Sequence, residues 1–461
     1  DKPFLHIEID EHSADAGVIT RCEAFLDSII NRETVPLMEP KKLKSLSLDK
    51  GQMKKTVYIA KMSDHAFGVQ AAFEACGLDA EVMDAPDAQT VKIGRKHVSG
   101  KECYPCAITT GDMVKSTMAS DFDPSRAVFF MPSGSGPCRF GQYNILHRLI
   151  LDEIGLPEVP IFAPNQDSGF YRELGIVGND FTKKAWTGVI AIDILMKCLH
   201  ETRPYEVNRG ESEELYQNYL KKIQRMIKSK NGDSQKLMDE MKSSFSCIQK
   251  TNETRPLIGI IGEIFVRLNI FSNEDVIRKI EALGGEVWLA PMEEWLFYIN
   301  TVGSRKALMK WKNNPLSKSS LDMVLNCNIT RFIQKSIEHK LAKPFEGTLK
   351  TLKEPSTKKL FRNASPYVHD SFEGETILSI GKAVDFVQRG ASGIVSTMPF
   401  GCMPGTIVSA LLKGLKQDTG IPFLNIAYDG SEANCSEIQL EAFMHQAAEY
   451  GKKKTSKKNS R

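Results

Sequence analysis

Short apolar runs bounded by Gly or Pro alternate along this chain with amphipathic segments whose apolar residues recur at three- and four-residue spacing. The runs predict strands at 4–9, 56–59, 127–130, 159–162, 257–261, 286–289, 393–396 and 423–427. The amphipathic segments predict helices at 64–76, 143–154, 274–283, 376–389 and 407–416. Strands that alternate with helices in this way build parallel sheets covered by helices, so the fold class is α/β. Residues 211–250 are charged, helical in pattern and poor in Gly and Pro up to Asn231-Gly232, and Arg255-Pro256 then leads into a fresh strand, which sets a boundary between two lobes. The organisation expected is an N-terminal βα unit and linker at 1–52, a first α/β lobe at 53–250, a second at 251–450 and a basic disordered tail at 451–461. Residues 343–369, with Pro344, Pro355, Pro366 and many lysines, read as a long surface connection within the second lobe.

One internal similarity bears on where a module ends. Pro3-Phe4-Leu5-His6-Ile7-Glu8-Ile9-Asp10, followed by Glu23-Ala24-Phe25-Leu26, returns as Pro422-Phe423-Leu424-Asn425-Ile426-Ala427-Tyr428-Asp429, followed by Glu441-Ala442-Phe443-Met444. The later copy closes a lobe, so the earlier one is expected to close a module that precedes Asp1.

Composition narrows the class. The 461 residues carry a net charge of +3, with the basic excess gathered in the final run, so neither a nucleic-acid surface nor a membrane surface is indicated. The longest apolar stretches, such as 188–195, fall far short of the roughly 20 residues that a bilayer span needs. Ten cysteines in a chain of this length do not suit a small secreted disulfide scaffold, and a reducing cytoplasm is the expected setting.

Chemistry concentrates in three cysteine segments. Cys103-Tyr104-Pro105-Cys106 is a CxxC, which turns two thiolates toward one metal centre, although a redox dithiol or a zinc half-site has the same spacing. The strand at 127–130 opens into Met131-Pro132-Ser133-Gly134-Ser135-Gly136-Pro137-Cys138-Arg139-Phe140-Gly141 and then a helix. Such a loop gathers backbone N–H groups at a helix N-terminus, favours anions, and should depress the pKa of Cys138. No GxxxxGK[ST] is present, so this is not a P-loop. The strand at 393–396 opens into a similar loop, Met398-Pro399-Phe400-Gly401-Cys402-Met403-Pro404-Gly405-Thr406. Loops after strand C-termini face the ligand crevice of a doubly wound sheet, so Cys138 and Cys402 should meet across one cleft between the lobes.

The other cysteines carry weaker signals. Cys22, Cys76, Cys198 and Cys247 lie in helical patterns and read as packing residues, whereas Cys327 and Cys435 have polar neighbours and are candidate extra ligands. Glu8, Asp10, Glu11 and His12 form an acidic loop suited to capping or to metal. Glu263 and Arg267 follow the first strand of the second lobe, and Arg139 stands beside Cys138, where it would balance negative charge.

Taken together, Gly111-Asp112 after the CxxC, Gly136-Pro137-Cys138-Arg139-Phe140-Gly141-Gln142-Tyr143, Gly259-Ile260-Ile261-Gly262-Glu263-Ile264 and Phe400-Gly401-Cys402-Met403-Pro404-Gly405-Thr406 resemble the 2-hydroxyacyl-CoA dehydratase/benzoyl-CoA reductase superfamily. The resemblance is to the C-terminal part of large acyl-CoA dehydratase activase-related proteins and to double-cubane-cluster reductases, and it spans residues 1–450. It implies two flavodoxin-like lobes that clasp an iron–sulfur cluster, with metal ligands falling on Cys103, Cys106, Cys138 and Cys402. Those cysteines suit one [4Fe-4S] cubane, and a double-cubane [8Fe-9S] cluster follows if Cys327 and Cys435 also ligate. The implied partner is an ATP-hydrolysing activator of the actin-like fold, on a separate chain or in a preceding part of this one. This chain's own lack of an Asp-x-Gly-Ser-Thr motif agrees with ATP being used elsewhere.

The function expected is therefore an iron–sulfur reductase component that receives low-potential electrons from such an activator and passes them to a small substrate. It would work in the anaerobic cytoplasm, with a homodimer as one assembly and no nucleic-acid or membrane partner. Two alternatives stand beside it: a non-catalytic CoA-ester-binding or electron-relay module of a larger assembly, and a structural zinc protein.

Overall fold

A computed structural model describes residues 5, 7, 15–30, 55–134, 136, 138–166, 170–178, 180–229, 232–313, 318–431 and 435–459, with the side chains of 318–323, 435, 436 and 455–459 outside the described set. Apart from Leu5 and Ile7, which belong to no regular element, the strand expected at 4–9 lies outside the described residues, as do the acidic loop at Glu8, Asp10, Glu11 and His12 and most of the linker up to residue 52. The chain divides into two units, 1–45 and 46–461. In the first, the helix Asp15–Ile30 buries none of its residues.

The second unit holds two four-stranded parallel sheets. Strands β1 (Thr56–Ile59), β2 (Asp79–Val82), β3 (Ala127–Phe130) and β4 (Ile161–Phe162) pair in the order β2-β1-β3-β4. Strands β5 (Leu257–Gly262), β6 (Glu286–Leu289), β7 (Gly393–Pro399) and β8 (Phe423–Tyr428) repeat that plan as β6-β5-β7-β8. Every pairing is parallel, for instance Val57 with Val128 and Ile260 with Val395. The central strands are buried on both faces, which is why they read as unbroken apolar runs. Helices cover both sheets, as a mixed α/β fold requires. Among the described residues no helix is long and apolar enough to cross a membrane.

Strand order fixes where ligands can sit. In each sheet the order reverses at the first strand, so the loops after β1 and β3, and after β5 and β7, diverge to open a crevice.

Three details depart from the sequence reading. Strand β2 was not anticipated. Residues 343–369 are no surface connection, because Phe345, Leu352 and Leu360 are buried in the cores and the helix Thr357–Ala364 lies within the segment. The helix Cys435–Asn459 carries the basic run in its last turns, within the stretch read as a disordered tail.

The packing that seats the first cysteine segment depends on two glycines. A Cβ on Gly94 would lie 1.8 Å from the Ala107 carbonyl oxygen, and one on Gly111 would lie 2.0 Å from that of Thr90. These glycines let the helices Ala88–His97 and Tyr104–Thr117 touch backbone to backbone. Gly111→Ala should wedge them apart at a cost of about 1–3 kcal/mol, read as a lower melting temperature. An unchanged melting temperature would show that the contact yields freely.

Candidate functional site

Three of the ten cysteines share one local geometry. Cys103, Cys138 and Cys402 each occupy the residue before a helix, in extended backbone conformation, and none spends its sulfur on a closed capping hydrogen bond. Cys103-Tyr104-Pro105 and Cys402-Met403-Pro404 match further, with proline in the first turn, where its missing N–H costs nothing. Gly401 holds φ at +66° to turn the chain into Cys402, and a Cβ on Gly405 would lie 2.5 Å from the Met398 sulfur, so the helix end seats directly on β7. In the first lobe a Cβ on Gly141 would meet the Gly134 carbonyl oxygen at 2.3 Å, which folds the Cys138 loop tightly on itself.

The three cysteines line a single cavity of about 410 Å³ between the two sheets, together with Tyr143, Glu263 and Glu375. Cys138 and Cys402 come from the loops after β3 and β7, and Glu263 from the end of β5. These are the switch-point positions of both sheets. Much of the remaining wall is apolar, including Phe170, Trp186, Leu296, Ile299 and Val302, with polar side chains such as Ser63, His65, Thr109 and Gln166 between them. The lobes are tied beside the cavity by Asp193, whose Oδ1 stands 3.1 Å from His65 Nε2 within the first lobe. Asp193 in turn accepts the Met292 and Glu293 N–H groups at 3.0 and 2.9 Å.

Burial dominates the electrostatics. It pushes the Cys138 and Cys402 thiols up to about 12, against the pull of the Phe140 and Gly405 backbone N–H groups and with a further push from Glu375 and Glu263. The depressed pKa expected for Cys138 at a helix start is thus overturned, because loss of hydration outweighs the dipole. Cys103 is also raised, chiefly by burial, while its hydrogen bond with the Tyr143 hydroxyl opposes the rise. Thiols in such surroundings stay protonated until a metal displaces the proton.

The remaining candidates sit elsewhere. Cys106 is not among the cavity-lining residues; it is 1% exposed and packs with Met131 and Tyr143, so the CxxC turns one sulfur to the cavity and the other into the core. Cys327 lies on the helix Lys318–Ala342 and is not among the cavity-lining residues, and the Cys435 side chain lies outside the described residues. Cys198 is a core residue, Cys22 and Cys76 are half-buried, and Cys247 is exposed rather than packed. Arg139 donates to the Lys101 carbonyl at 2.6 Å, which clips the Cys138 loop to the chain ahead of Cys103. Arg267 is buried and donates to the carbonyls of Gly262 and Pro291, so it braces the end of β5. Glu375 is the site residue that sequence reasoning missed.

The donor set can be tested against an iron–sulfur cluster. Among the described residues no three His, Cys, Asp or Glu side chains converge on a single metal ion. A cluster is broader than an ion, and its thiolate ligands stand apart on the walls of a cavity, as these three do. Sulfurs not committed to helix capping, helix-start amides and apolar walls suit such a group. A scan against protein-family models and a search of curated proteins find no match.

Asp112, from the motif beside the CxxC, is 3% exposed, and its Oδ2 has no hydrogen-bond partner. Burial raises its pKa to about 8, with Lys115 opposing and Asp87 and Asp84 adding to the rise. The folded chain therefore binds a proton that the unfolded chain has released, so stability falls as pH rises from about 4 to about 8. Asp112→Asn should match the parent near pH 4 and exceed it by about 5 kcal/mol at pH 9, roughly 1.4 kcal/mol for each pH unit between about 4 and about 8. Urea midpoints at the two pH values check this, and equal midpoints at pH 9 would contradict it.

Proposed function

We propose that this chain is an iron–sulfur reductase component of the 2-hydroxyacyl-CoA dehydratase/benzoyl-CoA reductase type, built on two flavodoxin-like lobes. Cys103, Cys138 and Cys402 would hold its cluster. The observation that supports this most is that three cysteines, each at a helix start and contributed by both lobes, line one cavity at the switch points of two like sheets. When bound, the group supplies electrons at low potential. The residues contribute the rest. The two lobes wall the cavity from facing sides, the Gly-rich loops offer N–H groups to sulfur, and the apolar walls give a small acceptor room to lie beside the thiols. Three thiolates leave one corner of a cubane to a ligand other than cysteine, which favours direct binding of an acceptor over relay alone.

An ATP-hydrolysing activator of the actin-like fold is the electron donor in this reading. Anoxically purified protein mixed with such an activator, dithionite and MgATP should lose visible absorbance only when ATP is present. Full bleaching without ATP would contradict the ATP-driven role. Colourless protein that contains zinc would replace the reading with the structural-zinc alternative.

A further inference from the structure

The cavity holds a second chemical feature that the thiols do not account for. Glu263 and Glu375 come from separate elements, the end of β5 and the start of the helix Glu375–Gln388, and converge on three successive backbone amides. Glu375 accepts from Ile264 N–H at 2.8 Å, while Glu263 accepts from Phe265 and Val266 N–H at 3.0 and 2.8 Å. Both carboxyl groups line the cavity. None of the described ion pairs includes either one. Arg267 is the nearest cation, and its guanidinium is engaged with the Gly262 and Pro291 carbonyls.

Two carboxylates in one poorly hydrated site with a single shared cation do not both ionise at neutral pH. The other titratable groups lining the cavity add no free cation: in the metal-free chain Cys103, Cys138, Cys402 and Tyr143 are neutral acids, His65 is held between Ser63 and Asp193, Tyr171 accepts from Gln334, Tyr298 accepts the Gly374 N–H, and Lys306 is paired with Glu373 at 2.6 Å. In support, burial first and Glu263 second raise the pKa of Glu375 to about 8.

We propose that Glu263 and Glu375 hold one proton between them and form the proton donor of the cavity, passing it to a bound acceptor as that acceptor is reduced. This deepens the reductase reading and rests on it for the source of the electron. In the step, the carboxyl O–H bond breaks and the proton bonds to the acceptor. The acceptor also gains one electron from the reduced iron–sulfur cofactor. The carboxylate left behind regains its proton from water. The acceptor class is accordingly a small, largely apolar molecule whose reduced form is basic. Such coupling avoids building negative charge in a cavity that already repels it.

The shared proton has a signature that needs no cofactor. The infrared difference between the metal-free parent and Glu375→Gln should show the carbonyl stretch of a protonated carboxyl at pH 7, fading as pH rises through about 8. Glu263→Gln should shift that fading to lower pH. In the anoxically assembled protein the midpoint potential should be flat below about pH 8, where the pair already holds its proton, and should fall above it by about 59 mV per pH unit, tenfold in equilibrium constant; this slope should be absent in Glu375→Gln with iron content unchanged. No carboxyl band in the difference spectrum, or loss of iron in Glu375→Gln, would overturn the donor role. A parent protein that shows the band but binds no iron would overturn the cofactor reading while the proton-holding pair stands, so the two failures are distinguishable.

Discussion

Cys138→Ser and Cys402→Ser should each lose nearly all bound iron and acid-labile sulfide, a fall of about tenfold or more, while keeping the parent's circular dichroism. Both side chains retain exposed surface toward the cavity, and neither sulfur sits in a packed core, so an isosteric hydroxyl leaves the fold intact. What serine cannot do is supply a thiolate of comparable affinity for iron. Cys103→Ser should behave in the same way. Cys106→Ser provides the contrast, because its sulfur packs against Met131 and Tyr143. That variant should keep its iron and lose about 1–3 kcal/mol of stability from a buried hydroxyl. Cys327→Ser should change neither quantity. Full iron retention in Cys138→Ser, or loss in Cys106→Ser that matches Cys103→Ser, would contradict the assignment of the cavity-facing set.

Lys382→Met should destabilise the chain by about 3–5 kcal/mol at neutral pH. Lys382 is completely buried; it is ion-paired with Glu354 and lies 3.4 Å from Glu294 Oε2. Lys197, on the helix Phe181–Thr202, reaches Glu354 from the first lobe at 2.6 Å. Burial alone would raise the Glu354 pKa, yet the two ammonium groups hold it at about 2. Its contribution to stability is therefore present above the ordinary carboxylate range and lost as pH falls toward 2. Methionine matches the length of the lysine stem and its contacts with Trp288 and Phe386, but leaves Glu294 without its ammonium partner and Glu354 with Lys197 alone. Adding Glu354→Gln to Lys382→Met should recover part of the loss, as measured by chemical denaturation. If Lys382→Met unfolds at the parent's midpoint, the network does not hold the lobes together.

The same elements show what a sequence exposes and what it conceals. Strands β3, β5 and β7 were legible because burial on both faces leaves an unbroken apolar run. β2 escaped because, in Asp79-Ala80-Glu81-Val82, only Ala80 is buried and two of the four residues are acidic. Residues 343–369 looked like a solvated loop because their lysines and prolines hide the spacing of Phe345, Leu352 and Leu360, and because Glu354 is buried only through partners that come from other elements. The loops of Cys138 and Cys402 announced themselves through their glycines. The CxxC did not reveal that its sulfurs part company, although the Cys-x-Pro shared by Cys103 and Cys402 already carried that signal. Glu375 had no local mark at all. An acidic residue in the first turn of a helix is ordinary, and only the tertiary fold brings it to the amide of Ile264, 111 residues away.

The central claim is that thiols from both lobes grip one inorganic cluster, and X-ray absorption at the metal edge of anoxically purified protein tests it most directly. Iron whose nearest neighbours are sulfur, with a second shell of iron, is the predicted result. Zinc in place of iron, or iron surrounded by oxygen and nitrogen with no iron neighbour, would contradict it.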